Sequence, residues 1–196
     1  MGMTAINPAT GDVIQSYPEH SVHEVETILE QAHRAFAQWR RDDVTSRAAK
    51  ITKAAELLRT NQETYARLMA QEMGKPIAQG RSEIEKCAWL CDYFAQQAER
   101  FLAPELVPTD ASKSLVVFEP LGIILAVMPW NFPFWQVFRA AIPALMAGNA
   151  VVLKHASNVP GCALAIEQLF RQAGLPDGLF RTLLVGSARV EELIEH

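Results

Sequence analysis

Six consecutive apolar residues, Ile123 to Met128, admit few placements in a folded protein. A strand with one wet face alternates apolar and polar residues; a run without alternation suits a strand covered on both sides, as in a parallel sheet between helices. A second run, Val151-Val152-Leu153, follows a helical stretch over 134–147, and a third strand over 180–185 follows a helical stretch over 159–173. Strand–helix–strand repetition implies right-handed crossovers and parallel strands. The expected class is α/β, with helices flanking a parallel sheet of Rossmann type.

An all-helical segment precedes the sheet. Asn7-Pro8 and Thr10-Gly11 supply a turn between two short strands. Ser21 and Glu24 have capping-box spacing at the head of a first helix, and Thr45 is placed to cap a second that runs to about Asn61. A third helix stops at Gly74, with Pro76 beyond. A fourth, from about Ile77 to Phe101, is expected to bury Ile84, Cys87, Cys91, Phe94, Ala98 and Phe101. Residues 103–114, rich in Pro, Ser and Thr, read as a projecting extended or hairpin segment, and Leu115–Glu119 as a strand. A last helix starts near Ser187 and shows the apolar residues Val190, Leu193 and Ile194, yet no strand follows for it to cross to. A doubly wound sheet has more strands than this, so the natural polypeptide is expected to continue past His196.

Composition removes several function classes. A net charge of −4 over 196 residues offers no field for nucleic acid or an anionic membrane. No apolar run approaches about 18 residues, and no signal-peptide pattern opens the chain. Cys87, Cys91 and Cys162 are an odd number within apolar patterns, which fits free thiols in a reducing cytoplasm. Cys162 starts a helix, but no base lies near it in sequence, and it reads as structural. His20 and His23 have no ligand cluster around them, so no metal site is expected. Neither G-x-G-x-x-G nor a Walker lysine loop is present, so a dinucleotide would need a less usual mode of binding.

Ligands of open α/β sheets bind outside the carboxyl ends of the strands. Two such exits occur here, at Val127–Pro133 and at Lys154–Ser157. Asn131, between Trp130 and Phe132, is either a turn asparagine or an amide donor of the kind that stabilises an oxyanion. Lys154 is either a snorkelling lysine or a donor to ribose or phosphate. Arg139 follows Trp135 by one helical turn, with Gln136 beside it; it is either solvated or a bidentate carboxylate anchor. Pro143 leaves the carbonyl of Arg139 without its helical donor, so a kink is expected.

Together Asn7-Pro8-Ala9-Thr10-Gly11, Glu72-Met73-Gly74-Lys75-Pro76, Glu119-Pro120-Leu121-Gly122, Pro129-Trp130-Asn131-Phe132-Pro133, Pro143–Asn149 and Lys154 resemble the aldehyde dehydrogenase superfamily over the whole chain. The resemblance implies attack of a cysteine thiolate on an aldehyde, hydride transfer to a nicotinamide, and hydrolysis of the thioester by a glutamate-activated water. Asn131 would hold the oxyanion. Val127, Met128, Pro129 and Trp130 would flank the cofactor, with Lys154, His155, Ala156 and Ser157 on its adenosine side. Many NAD-dependent members carry glutamate where Ser157 stands, so NADP is expected to be accepted, with NAD also possible. His155 stands where proline is usual. Arg139 falls where succinate-semialdehyde dehydrogenases carry an arginine, which implies a short carboxylated aldehyde held by Arg139, Trp135 and Gln136. Succinate semialdehyde comes first; another semialdehyde or a plain aliphatic aldehyde is the alternative.

On the same resemblance, 1–102 and 120–196 belong to the cofactor-binding domain and 103–119 to an oligomerisation hairpin of a dimer or tetramer. The catalytic domain would follow His196. None of the three cysteines matches the nucleophile's motif, so the 196 residues alone would be inert and would at most bind nucleotide or a partner chain.

Overall fold

The computed structural model describes residues 2–195; the expected limits at Met1 and His196 lie outside them. A hairpin of β1 (Gly2–Ile6) and β2 (Val13–Pro18) leads into α1 (Val22–Trp39), α2 (Val44–Thr60), α3 (Gln62–Met73) and α4 (Ile77–Phe101). A small antiparallel pair, β3 (Glu105–Leu106) and β4 (Leu115–Val116), follows. Then come β5 (Ile123–Met128), α5 (Trp135–Met146), β6 (Ala150–His155), α6 (Pro160–Gln172), β7 (Phe180–Thr182), a 3-10 turn and α7 (Val190–Glu195).

Local chemistry explains most boundaries. The Ser21 side chain accepts from the Glu24 amide while Glu24 reaches back to the Ser21 amide, closing the expected box. α3 ends on Gly74 at φ 74°, a left-handed conformation in which a Cβ would be strained. At α2 the expectation is corrected. Asp43, not Thr45, is the cap, its carboxylate accepting from the Ser46 amide at 2.7 Å. Asp43 and Thr45 are both competent cap types, and the turn after the fully buried Trp39 brings Asp43 to the cap position. α5 runs through Pro143 to Met146.

The parallel sheet has the order β5-β6-β7. β6 is central and buried at all six positions; Val151 and Leu153 face one hydrophobic cluster and Val152 the other. α1 covers one face through Val25, Ile28 and Ala32. α5 and α6 cover the other, where Phe134, Phe138, Phe170 and Phe180 follow one another at centroid spacings of 6.5, 5.2 and 4.7 Å. The same cluster continues into α2–α4 through Trp39, Ile51, Leu58, Met69 and Ile84, so the helical segment and the sheet share one core.

Three expectations fail on tertiary grounds. β5 is not covered on both faces: only Ala126 is buried and Val127 is 48% exposed, on the side of Ile123 and Leu125 where a concavity lies open, and β5 is an edge strand paired with β6 alone. The expected strand 115–119 shrinks to two residues, since only Glu105 and Leu106 come alongside to bond it. Phe101 lies at the exposed end of α4, beyond the cluster that holds Ala98. No helix among the described residues is long and apolar enough to cross a membrane.

Candidate functional site

β5 and β6 pair in parallel with Val127 opposite Lys154 and Met128 opposite His155. The two strand exits therefore open side by side. From the β5 exit, residues 129–134 form the loop that carries Trp130, Asn131 and Phe132, all exposed. Asn131 makes no hydrogen bond within the described residues, which leaves its amide free to face a ligand. The loop is held by residues far away in sequence.

The first of these is Glu83 of α4. The N-terminal residue of α5, Phe134, offers no side-chain cap. Glu83 supplies one, its Oε1 accepting from the amides of Phe134 and Trp135, each at 2.9 Å. Its other oxygen pairs with Lys75, whose ammonium lies 4.0 Å from the centroid of the Phe132 ring. Glu83 and Lys75 are both buried. The far end of α5 has the opposite chemistry: the Trp39 indole donates to the Leu145 carbonyl at 2.8 Å and Arg47 to the Met146 carbonyl at 2.9 Å. A carboxylate at the amino end and a guanidinium at the carboxyl end both complement the helix dipole. α6 repeats the scheme. Its cap position is Val159, and Glu72 of α3 accepts from the Gly161 and Cys162 amides at 2.7 and 2.8 Å. A Cβ at Gly161 would meet Glu72 Oε1 at 2.7 Å, so a larger residue there would displace the capping carboxylate. Burial pushes the Glu72 carboxyl above its ordinary range, and the two amide donors pull it back.

The second anchor is His155, which is buried against the loop. Its Nε2 lies 2.9 Å from the Pro133 carbonyl, and its Nδ1 accepts from the Ala156 amide at 2.8 Å. One neutral tautomer, with the proton on Nε2, satisfies both. Burial drives its pKa down, against the pull of the Pro133 and Met128 carbonyls. At the start of β5, Asn149 plays a similar part: its Oδ1 accepts from the amides of Leu121 and Gly122 and its Nδ2 donates to the Ala144 carbonyl.

Lys154 is only 6% exposed and has no hydrogen bond or ion pair within the described residues. Burial lowers its pKa. Ala156 is half-buried and Ser157 exposed, so the hydroxyl of Ser157 is accessible just past the strand end. A cleft of about 650 Å³ opens between α4 and α5, lined among others by Ser82, Lys86, Phe132, Trp135 and Gln136. The Lys86 ammonium lies 4.0 Å from the centroid of the Trp135 ring. Arg139, one turn beyond Trp135, is exposed and without a partner within the described residues. A larger concavity, about 910 Å³, lies on the sheet face lined by Ile123, Leu125, Val152 and Leu183. Its polar lining, Glu26, Glu30, His33 and Arg34, comes from α1 and not from the two strand exits that carry Asn131 and Lys154.

The three cysteines are free and buried, and burial pushes every thiol up, which disfavours the thiolate form. No cluster of His, Cys, Asp or Glu suited to a metal occurs among the described residues. Glu72, Glu83, Lys75 and Lys86 are absent from the expected site. A signal for the carboxylates exists in sequence: Glu83 falls on the face of α4 that carries Ile84 and Cys87, and Glu72 sits one turn from Met69. An acid on a buried face needs a partner.

His155 and His20, whose Nδ1 accepts from the Leu184 amide, are both shifted below their ordinary 6.5 by burial. As pH falls, the unfolded chain takes up these protons first. The stability tied to both neutral rings is thus complete above about pH 6.5 and is lost progressively below it. Acidification from about pH 7.5 to about pH 5.5 is expected to lower Tm by several degrees more in the natural chain than in a His20→Gln/His155→Gln variant, as read by thermal unfolding.

The sequence matches the profile of the Aldehyde dehydrogenase family over residues 1–196. It is 51% identical to a probable succinate-semialdehyde dehydrogenase [NADP(+)] of Synechocystis sp. over 194 residues, which are 99% of this chain and 43% of that protein. It is 40% identical to the succinate semialdehyde dehydrogenase [NAD(P)+] Sad of Escherichia coli (strain K12), over 97% of this chain and 41% of that one. The structure superposes on succinic semialdehyde dehydrogenase from Streptococcus pyogenes, solved with NADP+ as the cofactor, with a TM-score of 0.95 at 33% identity, covering 99% of this chain and 43% of the other. The chain thus spans less than half the length of the relatives it matches. With the family profile matched over the whole of this chain, and with the fold and the β5–α5 loop in place, the chain belongs to the aldehyde dehydrogenase family.

Proposed function

We propose that the polypeptide to which this chain belongs oxidises succinate semialdehyde to succinate with NADP, accepting NAD as well. The observation that carries the reading is the register of β5 and β6, which sets the unpaired Lys154 beside the loop of Asn131. The direct test is an assay of the full-length polypeptide against a panel of semialdehydes and aliphatic aldehydes with both cofactors. Oxidation of a neutral aldehyde in preference to succinate semialdehyde would favour the alternative substrate class.

Within this reading each residue has a physical task. The Asn131 amide donates to the oxyanion formed when a thiolate adds to the aldehyde. The nucleophile and the base come from outside this chain, and the 196 residues alone are proposed to be inert. Val127, Met128, Pro129 and Trp130 border the nicotinamide side. When bound, the dinucleotide supplies the hydride acceptor. Lys154 and Ser157, followed along the exit from His155 and Ala156, suit a phosphorylated ribose: the ammonium has no carboxylate to neutralise it, and no acid at position 157 repels a second phosphate. Ser157→Glu is expected to lower kcat/KM with NADP by roughly 100-fold relative to NAD, because a like charge set against the phosphate costs several kcal/mol. Steady-state kinetics with each cofactor check this.

Arg139, exposed one turn beyond Trp135 but not among the residues that line the cleft, would hold the substrate carboxylate, with Trp135, Gln136 and the ammonium of Lys86 in the cleft itself. Arg139→Ala is expected to raise KM for succinate semialdehyde about 10- to 100-fold, the worth of one charge-assisted hydrogen-bonding pair, and KM for propanal less than about threefold. Equal effects on both substrates would remove Arg139 from this role.

Residues 1–102 and 120–196 are proposed to belong to the cofactor-binding domain, and 103–119 to an oligomerisation hairpin of a dimer or tetramer. Leu106, Leu115, Val116, Val117 and Phe118 are all exposed on that hairpin, an apolar edge suited to pairing. Three reduced thiols support a cytoplasmic setting.

A further inference from the structure

The residue at 155 has a task that neither the strand nor the cofactor-side contacts require. β6 could end on any apolar residue, yet it ends on an imidazole that is 4% exposed. The ring lies opposite Met128, the last residue of β5, and both the Met128 and Pro133 carbonyls face it. Those two residues are the stems of the segment that carries Trp130, Asn131 and Phe132. The Nε2–H donates to the Pro133 carbonyl at 2.9 Å, while Nδ1 is occupied by the Ala156 amide, which fixes the ring plane. None of the amides of residues 130–132 donates a backbone hydrogen bond, so the segment has no ladder of its own. It is pinned at its helix end by Glu83 and on the Phe132 ring by Lys75. Among the described residues, its hydrogen bond to the sheet, beyond the covalent step from β5, comes from His155.

We propose that His155 is a positioning residue: a strap across the β5–α5 loop that holds the Asn131 amide in place for the oxyanion and ties that loop to the strand end bearing Lys154. A proline at this position could neither donate to Pro133 nor accept from Ala156, so the strap is a solution particular to chains with histidine here. The inference rests on the proposed dehydrogenase reading for its kinetic consequence but not for its structural one, and the test separates the two.

Three proteins are compared at full length: the natural chain, His155→Leu and His155→Gln. Glutamine places an Nε2–H at the reach of the imidazole Nε2, whereas leucine fills the space without a donor. In the kinetic arm, His155→Leu is expected to lower kcat for succinate semialdehyde about tenfold or more, since a misplacement near 1 Å can cost up to about 100-fold. Its KM for the aldehyde should stay within about threefold, and His155→Gln should recover most of the loss. In the second arm, the proteins carry 5-fluorotryptophan and the Trp130 resonance is assigned through Trp130→Phe. That resonance should broaden or split in His155→Leu and stay single in His155→Gln, with the other tryptophan resonances unmoved. The inference is overturned by a leucine variant with natural kcat, by a glutamine variant no better than leucine, or by an unchanged Trp130 resonance in the leucine variant. Absence of aldehyde oxidation in the natural full-length protein would instead defeat the dehydrogenase reading, with the fluorine spectra still deciding whether the strap exists.

Discussion

Asn131→Ala in the full-length polypeptide is expected to lower kcat for succinate semialdehyde about 100- to 1,000-fold, the worth of one preorganised oxyanion donor. KM should move little, because the amide acts on charge that develops after substrate has bound. The expectation follows from the free state of the side chain. Asn131 is exposed and spends no donor on the protein, while its neighbours are fixed through Glu83, Lys75 and His155. A donor that must reorganise before it acts is worth less than one already in place. Pre-steady-state measurement of hydride transfer would separate this from slow product release. A loss confined to KM would mean that the amide binds substrate and does not stabilise the transition state. Folding should be nearly unaffected, since the side chain contributes neither burial nor a hydrogen bond.

The second large effect is expected on stability. Glu83→Ala should cost about 3–5 kcal/mol, because it leaves the buried Lys75 ammonium without its counter-ion and strips the first amides of α5 of their acceptor. Denaturant unfolding of the natural and variant proteins reads this directly, as a fall in the midpoint at constant slope. Lys75→Met placed on top of Glu83→Ala should recover part of the loss, since the stranded charge is then gone and only the two amides remain unpaired. A single-variant cost below about 1 kcal/mol would show that solvent reaches both groups and that the pair is not holding α5. Glu72→Ala at the head of α6 is a milder case: it strands amides but no ammonium.

Both expectations depend on contacts between segments far apart in sequence, and there the reading of the chain divides. The capping box at Ser21, the left-handed stop at Gly74, the span of α4 and the β-α-β order were legible because each signal lies within a few residues. Asn131 and Lys154 could be singled out because strand exits in open α/β sheets are where ligands gather, whereas Arg139 came from its helical spacing to Trp135 and from the family resemblance. The sequence by itself thus determined the class, the element order and the place of the candidate site.

The partners were another matter. Glu83 meets the amides of α5 51 and 52 residues along the chain, and Glu72 meets those of α6 89 and 90 residues along. Glu72 has no local partner that would reveal its task, and the partner of Glu83 nearest in sequence, Lys75, lies eight residues back, in the break between α3 and α4. The exposure of β5 follows from its having one neighbour, and the shortness of β4 from how little of β3 comes alongside. For His155 the sequence shows only a departure from the usual proline; its meaning comes from the Pro133 carbonyl, 22 residues away. Tertiary structure alone decided these points. A buried polar group must find its hydrogen bonds wherever the fold brings a partner, and no local period or cap records where that partner lies.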